Sequence, residues 1–595
     1  MKINFIQSPN FQRKLTPKEE VEYCAIIREA KAKSGNKGKT ILIIPSSSFP
    51  QTAKNNTGVG NIGNEDGLKF VDFVKKYWDI NGIQLLPTGQ LHEHNGEIPL
   101  YSSTSMDLGN HMVDLKNKIS PEDYDYIVNS NNISNRVNFQ NIIKQNSSQN
   151  KMIEKAYKNR NYIEDMFFKK FKQENYEILH KKALFYALKK IHGHNKYYKW
   201  PKIDRYLFDD RVIDNSTRNR RIREIERIAE KDIEIYQYTK FLTEGYLKST
   251  RHSLHKQGIK LYGDMPCGFS YDEVWAFPKA FLKDSTIGWN LPALDINSSE
   301  AERILREKVK FYAKNFDGIR VDASWTYVSP RITNTSNGEI TKKYYGDKLL
   351  NVIDEQFKQV KGKNFESHNI MHEFTAASED FNIYYDGELL PFVKDRVKIY
   401  TSQNLSEDWG TNRAFLKRGW DKDSFILGAT NHDSRRIKYN EKQSNILAKI
   451  FKIKPKKMQK NNEFLKSKLA EPMSAYNSMI FFMDALGLKG KFQHNSDRSI
   501  NYAIKVPENY EDAYFNALER GEAYNPMDAY AKIFKAKGLD KTEPKLYKQI
   551  VKYKKILESP AKNKTTLPLK IIALVGIMGT ITAATYALRF SKNGD

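Results

Sequence analysis

Phe316-Asp317-Gly318-Ile319-Arg320-Val321-Asp322 is a short apolar run that ends in a carboxylate, with a guanidinium two residues before it. Two other stretches have the same form. Asn369-Ile370-Met371-His372-Glu373 ends in a glutamate preceded by an imidazole, and Gly428-Ala429-Thr430-Asn431-His432-Asp433 ends in an aspartate preceded by another. Burying a strand that terminates in a charged side chain is costly. The pattern is expected where a parallel barrel presents its chemistry at the C-terminal ends of its strands.

Outward from these three runs, similar short apolar segments recur with helical patterns between them. Candidate strands are Thr40–Pro45, Gly82–Pro87, Gly258–Asp264, Phe316–Asp322, Asn369–Glu373, Arg396–Tyr400, Phe425–Asp433 and Ser478–Asp484. Ser299 to Glu307 opens a helix with a capping-type start between the third and fourth. Eight strands alternating with helices predict an α/β fold, a (β/α)8 TIM barrel. The gap from Leu115 to His255 is too long for one crossover. Its Lys, Glu, Arg and aromatic residues at helical spacing predict an inserted helical subdomain at about 116–255. The expected domains are a polar lead-in over 1–39, a catalytic barrel over 40–540, a helix and linker over 541–570, and an anchor over 571–590.

That anchor is read from the tail. Ile571 to Leu588 holds no charged residue and is bracketed by Lys570 and Arg589. Eighteen helical residues span roughly 27 Å, close to the hydrocarbon thickness of a bilayer. The expectation is a C-terminal transmembrane helix, with the lysines before it keeping a cytoplasmic catalytic domain membrane-anchored. The N-terminus lacks the apolar core of a signal peptide.

Composition narrows the class. Aromatics make up 12% of the chain, which argues against disorder. The net charge of +26 could attract polyanions. The densest basic run, Arg218 to Arg227, mixes signs at helical spacing and reads as a solvated helix face, so no nucleic-acid partner is expected. Two distant cysteines, Cys24 and Cys267, build neither a disulfide framework nor a zinc motif. Three carboxylates at barrel strand ends can supply a nucleophile, an acid/base and a transition-state stabiliser, as cleavage of a glycosidic bond with retention requires.

With these motifs the chain resembles the 4-α-glucanotransferase (amylomaltase) family, glycoside hydrolase family 77. The resemblance runs over about 40–535. It is carried by Gly258-Ile259-Lys260-Leu261-Tyr262-Gly263-Asp264-Met265-Pro266 with Asp272-Glu273-Val274-Trp275-Ala276, by Ile44-Pro45-Ser46-Ser47, by Gln84-Leu85-Leu86-Pro87 and by Pro99-Leu100-Tyr101-Ser102-Ser103, in one order with the three carboxylates. It implies Asp322 as nucleophile, Arg320 holding it ionised, Glu373 as acid/base with Glu379 and Asp380 as nearby competitors, and Asp433 with His432 on the sugar hydroxyls. It also implies Asp264 in the sugar network, Tyr101 as a stacking platform and Trp289 as a substrate contact. Asp322 and Glu373 should face each other across a cleft, about 5–5.5 Å apart. The implied substrates are α-1,4-glucans and maltooligosaccharides, without metal or organic cofactor. Departures from the family pattern are Ala323-Ser324-Trp325 after the nucleophile, Phe374-Thr375-Ala376 after the acid/base, and an acceptor loop reduced to Thr286–Asn290. An α-glucan hydrolase on the same barrel and an inactive membrane-tethered glucan-binding protein are the alternative readings.

Overall fold

The computed structural model describes residues 15–93, 97–131, 134–144, 147–373, 421–433, 437–460 and 462–560, and the backbone of 399–402. In chain order the strands are β1 (Thr40–Ile44), β2 (Gly82–Leu85), β3 (Lys260–Met265), β4 (Phe281–Ile287), β5 (Leu291–Leu294), β6 (Gly318–Val321), β7 (Arg331–Asn334), β8 (Ile340–Lys342), β9 (Ile370–Glu373), β10 (Ile399–Ser402), β11 (Phe425–Gly428) and β12 (Asn477–Phe481). Eight of them form a closed barrel in the order β1-β2-β3-β6-β9-β10-β11-β12, every pairing parallel, and β12 returns to β1. The other four make an antiparallel sheet, β5-β4-β7-β8, in the loops that follow β3 and β6.

The local sequence explains the barrel. All five residues of β1, Thr-Ile-Leu-Ile-Ile, are buried, as a parallel strand covered on both faces requires. Gly318 opens β6 where a Cβ would lie 2.4 Å from the Asn369 carbonyl oxygen, so the two backbones approach closely only because no side chain intervenes. The lead-in helix Pro17–Ser34 starts on a Thr16/Glu19 capping box with proline in its first turn, and ends on left-handed Gly35. It packs into the same core as the last described helix, Pro544–Glu558, with the Tyr23 and Tyr553 rings 5.7 Å apart.

Between β2 and β3 the chain is helical, ending in the long helix Asn215–Lys256, which is kinked at Ala229. One small core of this region gathers Leu115, Ile127, Ile153, Phe168, Tyr238 and Leu242.

Three expectations need correction. The strand read over Phe425–Asp433 stops at Gly428, and the one read over Ser478–Asp484 stops at Phe481, where the helix Phe482–Leu486 takes over. The third is the transmembrane helix. Among the described residues no helix is long and apolar enough to cross a membrane. The run 571–588 lies outside the described residues, so neither the anchor nor a membrane partner or membrane location is part of the structure.

Candidate active site

The C-terminal ends of β3, β6 and β9 deliver one connected ionic cluster. Cross-strand register sets Asp264 opposite Arg320, and Val321 opposite His372, which brings Asp322 level with Glu373. The Arg320 guanidinium, only 1% exposed, then acts as a fork. Its Nη1 lies 2.6 Å from Asp264 Oδ1 and 3.2 Å from Asp322 Oδ1. Its Nη2 is bonded to Glu373 Oε2. Planar, bidentate donors make arginine the cation suited to bridging carboxylates in this way.

Each member has further support. Asp264 Oδ2 accepts from the Tyr101 hydroxyl at 2.7 Å and from Gln84 Nε2 at 3.3 Å. Glu373 Oε2 accepts from the Ala323 backbone N–H at 3.1 Å. That N–H points inward because Ala323 adopts a left-handed turn (φ 41°), a conformation costly for a residue with a Cβ. Asp433 sits five residues beyond β11, its Oδ2 3.0 Å from His432 Nε2, and its Oδ1 accepts from Gln493 Nε2 at 2.9 Å. The His432 ring stacks on Tyr101, 5.1 Å between centroids and 16° between planes. Through Tyr101 the Asp433 pair joins the Arg320 cluster.

The electrostatics divide the carboxyls. Burial raises Asp322 and Glu373 above the usual carboxylate range, Arg320 pulls both back, and each feels the like charges around it. Their mutual hydrogen bond favours ionised Asp322 and protonated Glu373, and Glu373 is pushed up to about 7. Asp433 differs. Partial burial would raise it, but its side chain is 53% exposed, and the His432 charge, the Arg320 charge and the Gln493 hydrogen bond hold it well below the ordinary range. Like charges in one site separate into distinct protonation states by this means.

The wall beside Tyr101 is also fixed. Glu273 accepts from the Ser105 N–H at 2.8 Å and the Met106 N–H at 2.9 Å, and Asp107 accepts from Thr104 Oγ1 at 2.6 Å. Lys182 and Lys240, both buried, pair with Asp107 at 2.5 and 3.1 Å and tie this loop to the insertion. A cleft of about 230 Å³ lies against Tyr101, with Phe269, Tyr271 and Trp289 on its walls. Trp289 is 68% exposed, has φ 62°, and its ring lies 6.1 Å from that of Trp325.

The structure therefore brings together Asp264, Arg320, Asp322, Glu373, His432, Asp433 and Tyr101, and places Trp289 across the adjoining cleft. Glu379 and Asp380 lie outside the described residues. Sequence reading missed two site residues. Gln84 is a lone amide inside an otherwise apolar strand, a signal available in principle. Gln493, on the loop after β12, carried none.

A closed parallel barrel with its buried ionic cluster at the C-terminal mouth defines the class of (β/α)8 proteins that work from their strand ends. Within that class the chain belongs to glycoside hydrolase family 77: the model described as 4-alpha-glucanotransferase matches residues 44–386. A curated 4-alpha-glucanotransferase of Clostridium butyricum is 29% identical over 240 residues, 38% of this chain and 44% of that protein, so the match spans less than half of the relative's length. Among solved structures, the amylomaltase of Streptococcus agalactiae in complex with acarbose superposes with a TM-score of 0.62 at 17% identity, covering 80% of this chain and 98% of that one. The amylomaltase of Corynebacterium glutamicum superposes with a TM-score of 0.57 at 10% identity, covering 86% and 76%. At these identities the superpositions establish the fold.

Proposed function

We propose that the chain is a 4-α-glucanotransferase, moving α-1,4-glucan segments to glucose or maltooligosaccharide acceptors by a retaining double displacement. The observation that carries this reading is the Arg320 fork, which holds Asp322 and Glu373 in contact. An inverting pair keeps its carboxyls about 6.5–9.5 Å apart to admit a water, and retaining pairs sit closer.

In this scheme Asp322 attacks the anomeric carbon while Glu373 gives its proton to the departing glycosidic oxygen. A covalent β-glucosyl ester results, and the shortened glucan leaves. An acceptor hydroxyl then loses its proton to Glu373 and attacks the same carbon, releasing Asp322 as a carboxylate. Asp433, ionised beside His432, accepts hydrogen bonds from the hydroxyls of the reacting sugar. Asp264 and Tyr101 complete the polar floor. Trp289 and Tyr271 offer aromatic faces to the flanking sugars.

Incubation with maltotriose tests the reading. Transfer yields glucose and a ladder of longer maltooligosaccharides. Accumulation of small sugars alone would indicate a hydrolase, and unchanged maltotriose a binding protein.

The protonation pattern predicts a pH profile. A general acid works only in its protonated form, and Glu373 titrates near 7, so kcat/KM for maltotriose should fall as pH rises through that value. Glu373→Gln should lower kcat/KM by about 10²–10⁴-fold and remove the alkaline limb. With α-glucosyl fluoride, whose leaving group needs no proton, the variant should recover much of its first step. An alkaline limb unchanged in Glu373→Gln would assign the proton to another group.

A further inference from the structure

A cavity of about 390 Å³ lies where the insertion helices Tyr176–His192 and Asn215–Lys256 meet the barrel helix Ser299–Asn315. Its acidic and basic side chains are equal in number. The carboxylates are Asp107, Glu174, Glu177, Glu244 and Glu307. The cations are Lys182, Lys240, Arg303, Lys310 and Lys314. This near-neutrality occurs in a chain with a net charge of +26. Most of these groups also pair with one another: Arg303 lies 3.0 Å from Glu177, Lys310 3.0 Å from Glu307, and Lys240 3.1 Å from Asp107.

An anion site would leave cations in surplus, and a cation site would leave carboxylates. Here paired charges alternate with the amides of Gln173, Asn175 and Asn315 and with the rings of Tyr176, Tyr236 and Phe311. Hydrogen-bonding groups of both kinds set among aromatic faces suit a neutral ligand that is rich in hydroxyls but has apolar ring faces. The Glu244 carboxyl has no hydrogen bond or ion pair among the described residues; burial pushes it up to about 7 against the pull of the Lys314 charge. In that state it can both donate and accept.

Tyr176 extends the cavity. It is 62% exposed, and its ring is stacked on His180, 5.1 Å between centroids and 10° between planes. A second hollow of about 410 Å³, lined by Lys169, Lys172, His180, Glu226, Glu230 and Glu234, shares Gln173 and Tyr176 with the first. The hollows form one trough with an aromatic ridge at its middle. The inner end rests on the buried Asp107–Lys182–Lys240 network, so it is built before any ligand arrives.

We infer that this trough is a second binding site, for a neutral oligosaccharide chain, with Tyr176 as the stacking platform between its halves and Glu244 as a hydrogen-bonding group at its inner end. Choosing an α-glucan as the ligand rests on the function proposed above; the balanced lining and the ridge do not.

The test is native electrophoresis of the full chain through gels containing amylose, alongside kcat/KM on maltotriose. Wild type should be retarded. Tyr176→Ala, an exposed position that leaves the core intact, should weaken the apparent affinity by about five-fold, the loss expected for one aromatic stack. Glu244→Ala, which removes both the donor and the acceptor, should weaken it as well, and neither variant should change maltotriose turnover. Retardation equal to wild type in both variants would overturn the site. Wild type that turns over maltotriose but is not retarded would also overturn it and leave the transferase reading standing. Retardation that depends on Tyr176, in a chain that leaves maltotriose unchanged, would uphold the site and overturn the transferase reading.

Discussion

Asp322→Asn is expected to abolish glucan transfer, lowering kcat on maltotriose by several orders of magnitude while the protein stays folded. The substitution keeps shape and volume but removes the group that forms the bond to carbon. It also removes one negative charge from a crowded ionic site. Asp322 competes with Asp264 and Glu373 for a single guanidinium, so the variant should be no less stable than wild type. Nucleophile loss and misfolding therefore separate cleanly. Turnover should collapse while the thermal midpoint holds or rises. Near-normal turnover in a clean preparation would remove Asp322 from its assigned role.

Arg320→Met should have the largest effect on stability. The guanidinium is buried and carries the positive charge shared by Asp264, Asp322 and Glu373. Deleting one partner of a buried ion pair costs about 3–5 kcal/mol, because the remaining charge is left uncompensated. The sign with pH follows from the same groups. Without Arg320 the three carboxyls titrate higher in the folded state than in the unfolded chain. Such groups favour folding only while protonated, and that contribution is lost as pH rises through their folded pKa values. Denaturant midpoints should therefore fall further behind wild type at neutral and alkaline pH and converge toward it in acid. A deficit that stayed constant with pH would mean that packing, not charge, is what Arg320 supplies.

Much of the barrel was legible because buried parallel strands read as unbroken apolar runs. All eight candidate runs overlap barrel strands, and Thr40–Ile44 and Gly82–Leu85 begin where they were read. The overruns have local causes. After Gly428 the chain turns: the Thr430 hydroxyl bonds Asp484, and Asn431 Oδ1 accepts from the Asp433 N–H, so hydrogen bonds within the loop replace the ladder. The small sheet β4, β5, β7 and β8 was not legible. Its strands are partly exposed, and Lys283-Asp284-Ser285 in β4 carries no apolar alternation. The site was legible to the extent that each member ends an apolar run. The connections of Gln84, Ala323 and Gln493 were not, because they depend on a strand's inward face, a backbone turn and a distant loop. The tail shows the opposite limit: an uncharged stretch of eighteen residues satisfies the length criterion for a membrane helix whatever its real surroundings.

The seam between β1 and β12 has a consequence for how the molecule comes into being. Thr40 and Ser478, partners across it, are separated by 438 residues of chain. Until the last barrel strand arrives, β1 has a neighbour on one side only, and the peptide groups of Thr40 to Ile43 on the other side are an open template for pairing. Synthesis at about 5–20 residues per second leaves that edge bare for tens of seconds, long enough for it to meet the same edge on another nascent chain. Crowded or rapid expression should therefore deplete the soluble yield more than any loss of equilibrium stability would, and slower synthesis should restore it.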